Sequence, residues 1–123
     1  MRWPLSPATG TVQLTTTGRR SGRAHRIEIW YVVLDGVVHL VGSPGPRDWL
    51  ANLRAHPAAT VHVRRPAAYD VDVTATEVTD PAARRALVPL IWAVQPWYRT
   101  KDGDVRRWVE RSPMVALSPV HRP

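Results

Sequence analysis

The chain has 123 residues, of which 44% are apolar and 22% charged. That length suits one compact domain, and the composition supports a buried core, which excludes wholesale disorder. There is no cysteine, so a disulfide scaffold, a thiolate metal site and a cysteine nucleophile are all ruled out. The longest apolar run, Ile29 to Leu34, is far short of the roughly 20 residues of a membrane helix. Met1-Arg2-Trp3-Pro4-Leu5-Ser6-Pro7 lacks the apolar stretch of a secretory signal, which predicts a cytoplasmic protein. Lys and Arg outnumber Asp and Glu by 17 to 10, for a formal charge of +7, and every basic residue except Lys101 is arginine. A GC-rich genome explains the total. Placement says more: Arg19, Arg20, Arg23 and Arg26 fall within eight residues with no acid between them, which suits an anionic partner.

Residues 1 to 10 hold two prolines and read as an irregular lead-in to a single domain over 11–123. Val12 and Leu14 alternate with Thr11, Gln13 and Thr15, which predicts a strand over 11–17. Gly18 to Gly22 is a basic turn. A long strand follows over about 25–34, with Ile27, Ile29, Tyr31 and Val33 on one face. Asp35-Gly36 is a hairpin signal, and 37–41 is the return strand. Gly42-Ser43-Pro44-Gly45-Pro46 breaks the sheet. A helix over about 46–55 comes next, with Pro46 in its first position and Trp49, Leu50 and Leu53 facing inward. Strands are expected over 60–64 and 69–76. Asp80-Pro81 caps a helix that runs towards Trp92 with a kink at Pro89, and Pro96 stops or bends it again. A helical piece over 104–110 and a short strand over 114–117 complete the chain. Six strands with short connections predict antiparallel pairing: a mainly β (α+β) barrel or curled sheet with two or three covering helices.

Two segments could carry chemistry. Thr15-Thr16-Thr17-Gly18-Arg19-Arg20-Ser21-Gly22-Arg23 combines guanidinium groups, hydroxyls and glycines that admit close backbone approach, the set that phosphate needs. The Gly-Lys-Ser/Thr ending of a nucleotide P-loop is missing, and a solvated basic hairpin turn would read the same way. Gly42 to Trp49 passes from a strand through small residues to a helix N-terminus, where an anion or a flat ligand can settle. A plain strand-to-helix loop with a core tryptophan is the competing reading. His39 and His62 have no carboxylate or histidine partner at metal spacing, so no metal site is expected. Asp70 and Asp72 alternate with threonines and read as a solvated face.

Leu14 to Gly22, Ile27 to Tyr31, Asp35-Gly36, Gly42-Ser43 and Trp49-Leu50-Ala51-Asn52-Leu53-Arg54-Ala55-His56-Pro57, in that order and spacing, resemble the deazaflavin-dependent nitroreductase family of split β-barrel proteins. The match is good over about 11–65 and loose beyond. The resemblance implies coenzyme F420, a 5-deazaflavin with a phosphate and an oligoglutamate tail, as cofactor. It places Arg19, Arg20, Ser21 and Gly22 at the phosphate, together with His25, where many relatives carry arginine. It places Trp30 beside the deazaflavin and Gly42, Ser43, Pro44 and Trp49 at the ring edge. It makes Tyr98 the candidate proton donor, with Ser43 as the second catalytic candidate. The implied activity is hydride transfer to a nitro, quinone or enone-type small molecule by a monomer or homodimer. Two rivals stand beside it. One is the same barrel holding FMN, haem or a lipid, and FMN's own phosphate would suit the same turn. The other is a basic nucleic-acid-binding module, against which the basic residues gather at one turn and do not stripe a sheet.

Overall fold

Along β1 (Thr9–Thr17), Val12, Leu14 and Thr16 are buried while their neighbours face outward, as period-two alternation requires. β1 pairs with β2 (Ala24–Leu34) over its whole length, from Thr17↔Ala24 to Thr9↔Val32. Asp35 and Gly36 both have positive φ, the turn that a tight hairpin demands, and lead into β3 (Val37–Val41). α1 (Asp48–Ala55) separates β3 from β4 (Ala58–Val63), which is followed by β5 (Tyr69–Glu77). Three helices then come in sequence, α2 (Pro81–Val94), α3 (Trp97–Lys101) and α4 (Val105–Arg111), before β6 (Met114–Pro119). The strand order is β1-β2-β3-β6-β5-β4, all pairs are antiparallel, and β4 returns to β1 through Gln13↔His62 to close the barrel. The chain is described here from a computed structural model, which covers residues 3–120.

Two cores follow from this closure. The barrel interior holds Val12, Leu14, Ile29, Tyr31, Val61, Val73 and Leu117, and α1 contributes Leu50 and Leu53 to it. The second core lies outside the barrel wall. Val32, Leu34 and Val41 point outward and are covered by Val88 and Ile91 of α2 and by Tyr98 and Trp108. This double burial explains the uninterrupted apolar run at 29–34: the second half of β2 is covered on both faces.

Three expectations need correction. Among the described residues there are four helices, because Trp97–Lys101 forms a five-residue helix too short to show a period. α1 begins at Asp48 with Arg47 as its N-cap, so Pro46 lies outside it. The lead-in is partly regular, since β1 starts at Thr9; Met1 and Arg2 lie outside the described residues. α2 spans Pro81–Val94 with Pro89 inside it and stops before Pro96, as expected. The Asp80 cap stands as predicted, with its carboxylate accepting from the Ala83 N–H at 2.9 Å.

Arg54 on α1 clasps Glu77 on β5 with two bonds of 2.8 and 2.6 Å. The Arg54 guanidinium holds the Glu77 carboxyl below its ordinary range. A depressed folded-state pKa adds stability that is complete above the ordinary glutamate value of about 4.3 and lost as pH falls through the lower folded value. Because Arg54 is largely exposed, the screened contribution is about 0.5–1 kcal/mol. Glu77→Gln is therefore expected to lower stability by that amount near pH 7 in urea melts, and the difference should shrink away as pH falls through the lowered Glu77 value.

Candidate cofactor-binding site

The β1–β2 turn is closed by two backbone bonds, Gly18 N–H to Arg23 O at 2.8 Å and Gly22 N–H to Gly18 O at 2.9 Å. Gly22 has φ +69, a conformation that side chains resist, so glycine is required there. Gly18 is close-packed: a Cβ on it would lie 2.6 Å from both His25 Nε2 and Ser21 Oγ, so a larger residue there would displace these two side chains. The Ser21 hydroxyl also accepts from the Arg23 N–H at 3.1 Å.

α1 packs beside this turn. Its inward face reads Leu50, Asn52, Leu53, and the one polar member is buried. Asn52 Oδ1 accepts from the backbone N–H of Arg19 at 3.1 Å and from its guanidinium at 2.9 Å, while Asn52 Nδ2 donates to Thr16 Oγ1 at 3.3 Å. Arg19 also reaches Asp48 at 3.4 Å, but that carboxylate is 93% exposed and the contact is loose.

Between turn and helix lies a cleft of about 590 Å³. The turn forms one wall with Arg19, Arg20, Ser21 and His25; Asp48, Trp49 and Asn52 form the other, and Thr16 and Ile27 lie between them. Arg20 is exposed and has no hydrogen bond or ion pair among the described residues. The arrangement can hold an anion at the turn and a flat apolar body against Ile27 and Trp49.

Of the residues expected at the site, the cleft gathers Arg19, Arg20, Ser21, His25 and Trp49, with Gly22 closing the turn beside them. Trp49 is half-buried: it packs against the barrel core, as expected of the inward helix face, and also lines the cleft wall. Trp30 stands apart. It is on the outer face of β2 opposite Thr11 and is 46% exposed. Gly42, Ser43 and Pro44 lead into α1 but do not line this cleft. Arg47 folds back over their loop and donates to Ser43 O at 3.0 Å, Gly45 O at 3.0 Å, Pro46 O at 3.2 Å and Ser43 Oγ at 3.3 Å. The same guanidinium sits so near Gly42 that a Cβ there would meet it at 3.0 Å.

Tyr98 is 4% exposed and packs edge-on against Trp97 and Trp108 in the outer core. Its hydroxyl lies 3.5 Å from Val41 O, and burial raises its pKa against the opposing charge of Arg47. That is the packing of a core residue and not of a proton donor to a molecule in the cleft. His62 also departs from expectation. Its Nδ1 is 2.8 Å from Asp70 and its Nε2 is 2.6 Å from Thr15 Oγ1, a chain across three strands that alternation along any one strand does not show. β1 is paired on both sides at Thr15, and none of the larger cavities opens onto this chain, so it reads as a cross-strand clamp.

Asn52 is the site residue that sequence reasoning missed. Its signal was present: an amide set between two leucines on an apolar helix face needs a buried partner.

The model of the F420H(2)-dependent quinone reductase family matches residues 2–116. The chain belongs to that family. Reduced coenzyme F420 is the family's cofactor, as the sequence resemblance implied. Several solved structures share the family's split-barrel fold. An F420-H2 dependent reductase, FDR-A, is 23% identical, with a TM-score of 0.58, over 86% of this chain and 92% of that one. A protein described as a domain-swapped dimer is 24% identical, TM-score 0.61, over 88% of this chain and 79% of that one. A putative pyridoxamine 5'-phosphate oxidase from Listeria innocua is 15% identical, TM-score 0.61, over 90% and 83%. At these identities the likeness is one of fold.

Proposed function

We propose that this reductase binds F420 with its phosphate at the Gly18–Arg23 turn and passes a hydride to a small quinone, with nitro and enone compounds as further acceptors. The observation that carries the reading is Arg20: a guanidinium unpaired among the described residues, on the wall of a cleft that also offers a serine hydroxyl, a histidine and a flat apolar surface. Arg19, fixed by Asn52, supplies a second positive charge at a set position. His25 stands beside Ser21 on the same wall and offers a ring nitrogen to the anion.

When bound, the reduced deazaflavin supplies the hydride from its C5 carbon. The chain's own residues supply position. Ile27 and Trp49 offer an apolar surface that excludes water from one face of a flat ring. Ser43 Oγ accepts from Arg47 on a loop that does not line the cleft, so no proton step is given to it. Trp30 and Tyr98 have no part in this reading.

Titration of F420 fluorescence tests it. Wild-type protein is expected to bind at micromolar concentration or tighter. Arg20→Glu removes a charge-assisted contact of about 1.5–3 kcal/mol, so its Kd should rise roughly 10- to 150-fold with the melting temperature unchanged. Equal Kd values for the two proteins would place the phosphate elsewhere. A flavin spectrum or a Soret band in the protein as purified would favour the rival ligands.

A further inference from the structure

The two adjacent arginines of the turn are not equivalent. Arg20 is exposed and makes no hydrogen bond or ion pair among the described residues, whereas Arg19 is held at both its backbone N–H and its guanidinium by one oxygen, Asn52 Oδ1. Asn52 is buried and braced in turn by Thr16. A carboxylate would be the commoner partner for a guanidinium at this distance. It would make the stronger bond, but it would also cancel the charge of Arg19 and add a negative potential at the mouth of the cleft. The amide fixes the arginine and leaves its charge uncompensated. The nearest carboxylate, Asp48, is turned to solvent and only brushes Arg19 at 3.4 Å.

We infer that Asn52 is a positioning residue that sets the anion affinity of the cleft by holding Arg19 in place without neutralising it. The inference rests on the proposed phosphate site and deepens it. It assigns the chemical requirement to one atom: the group at position 52 must accept two hydrogen bonds and carry no charge. Asp48 acts in the opposite sense, as a weak brake on the same potential.

The variant that separates charge from structure is Asn52→Asp. It is nearly isosteric. Its two oxygens can accept the same two bonds from Arg19, and the Thr16 hydroxyl can turn to donate to it. Beside Arg19 the new carboxyl ionises at neutral pH. F420 Kd and melting temperature are measured for wild type, Asn52→Asp and the double variant Asn52→Asp with Asp48→Asn. The expected result for Asn52→Asp is at least a tenfold rise in Kd at low salt with no fall in melting temperature. Asp48→Asn should then recover part of the lost affinity, because it removes a negative charge without touching the Asn52 position. An unchanged Kd for Asn52→Asp, or a loss that Asp48→Asn does not relieve, overturns the inference.

The same three proteins are melted in inorganic phosphate, whose binding raises the melting temperature in proportion to ln(1 + [phosphate]/Kd). If wild type responds to phosphate but not to F420, the cofactor reading fails while the role of Asn52 is decided by the phosphate series alone. If wild type responds to neither, both fail.

Discussion

Trp108→Ala is expected to destabilise the protein by about 3–5 kcal/mol. Trp108 is fully buried, and its indole N–H donates to the carbonyl of Asp102. Its ring meets Trp92 and Tyr98 edge-on, with centroids 5.9 and 5.7 Å away. Removing it opens a cavity between α2, α3, α4 and the outer face of β2 and β3, and leaves the part-buried Asp102 carbonyl without its donor. For a chain of this length the loss corresponds to a fall of about 10–20 °C in melting temperature. Calorimetry checks it. A fall of only a few degrees would mean that the helical layer repacks easily and that the second core adds little. Trp108→Phe keeps most of the volume and loses the N–H, so it should recover more than half of the deficit.

The second large effect is expected at Arg84. Its guanidinium is buried on the inward face of α2, and each nitrogen serves a different carbonyl: Nε that of Val109 at 2.6 Å, one terminal nitrogen that of Val78 at 2.7 Å, the other that of Ser112. Val109 and Ser112 lie at the C-terminal end of α4, where helix carbonyls are left unsatisfied and a positive charge is favoured. Burial lowers the pKa of Arg84, but arginine starts so high that the charge is kept. Arg84→Ala strands three carbonyls at once, and we expect a loss of about 3–5 kcal/mol in urea unfolding. Arg84→Lys should recover less than half, because one ammonium cannot imitate a fork that spans three acceptors. Equal stability of Arg84→Ala and wild type would show that water replaces the guanidinium there.

These two residues mark where reading the sequence stops. The strands were legible because one face of each is buried: Val12/Leu14 and Val71/Val73/Ala75 alternate with polar neighbours, and Asp35-Gly36 announces its hairpin. The helical layer was harder. α3 has only five residues, and its relation to Trp108 depends on contacts between segments far apart in sequence. Arg84 looks like any surface arginine in a helix until α4 folds over it. The same division holds at the site. The basic turn announces itself through glycines and guanidiniums that are adjacent in the chain, so Arg19, Arg20, Ser21 and Gly22 could be named; His25 followed only from family position. Asn52 lies 33 residues from the arginine it holds, and no local pattern joins them. Trp30 and Tyr98 were carried over by family position alone. Position does not say that Trp30 faces away from the cleft or that Tyr98 is enclosed by two tryptophans.

The most direct test of the account is a crystal of the protein soaked with F420. A second and larger cavity of about 920 Å³ lies near the other end of β1, between the N-terminal segment and the β4–β5 loop, so the molecule itself offers a competing location. The account predicts that the cofactor phosphate lies in the smaller cleft at charge-assisted hydrogen-bond distance, about 2.7–2.9 Å, from the Arg20 guanidinium, with Arg19 still on Asn52 and the ring against Trp49. Density for the phosphate in the larger cavity, beside Arg64 and Arg65, would contradict it.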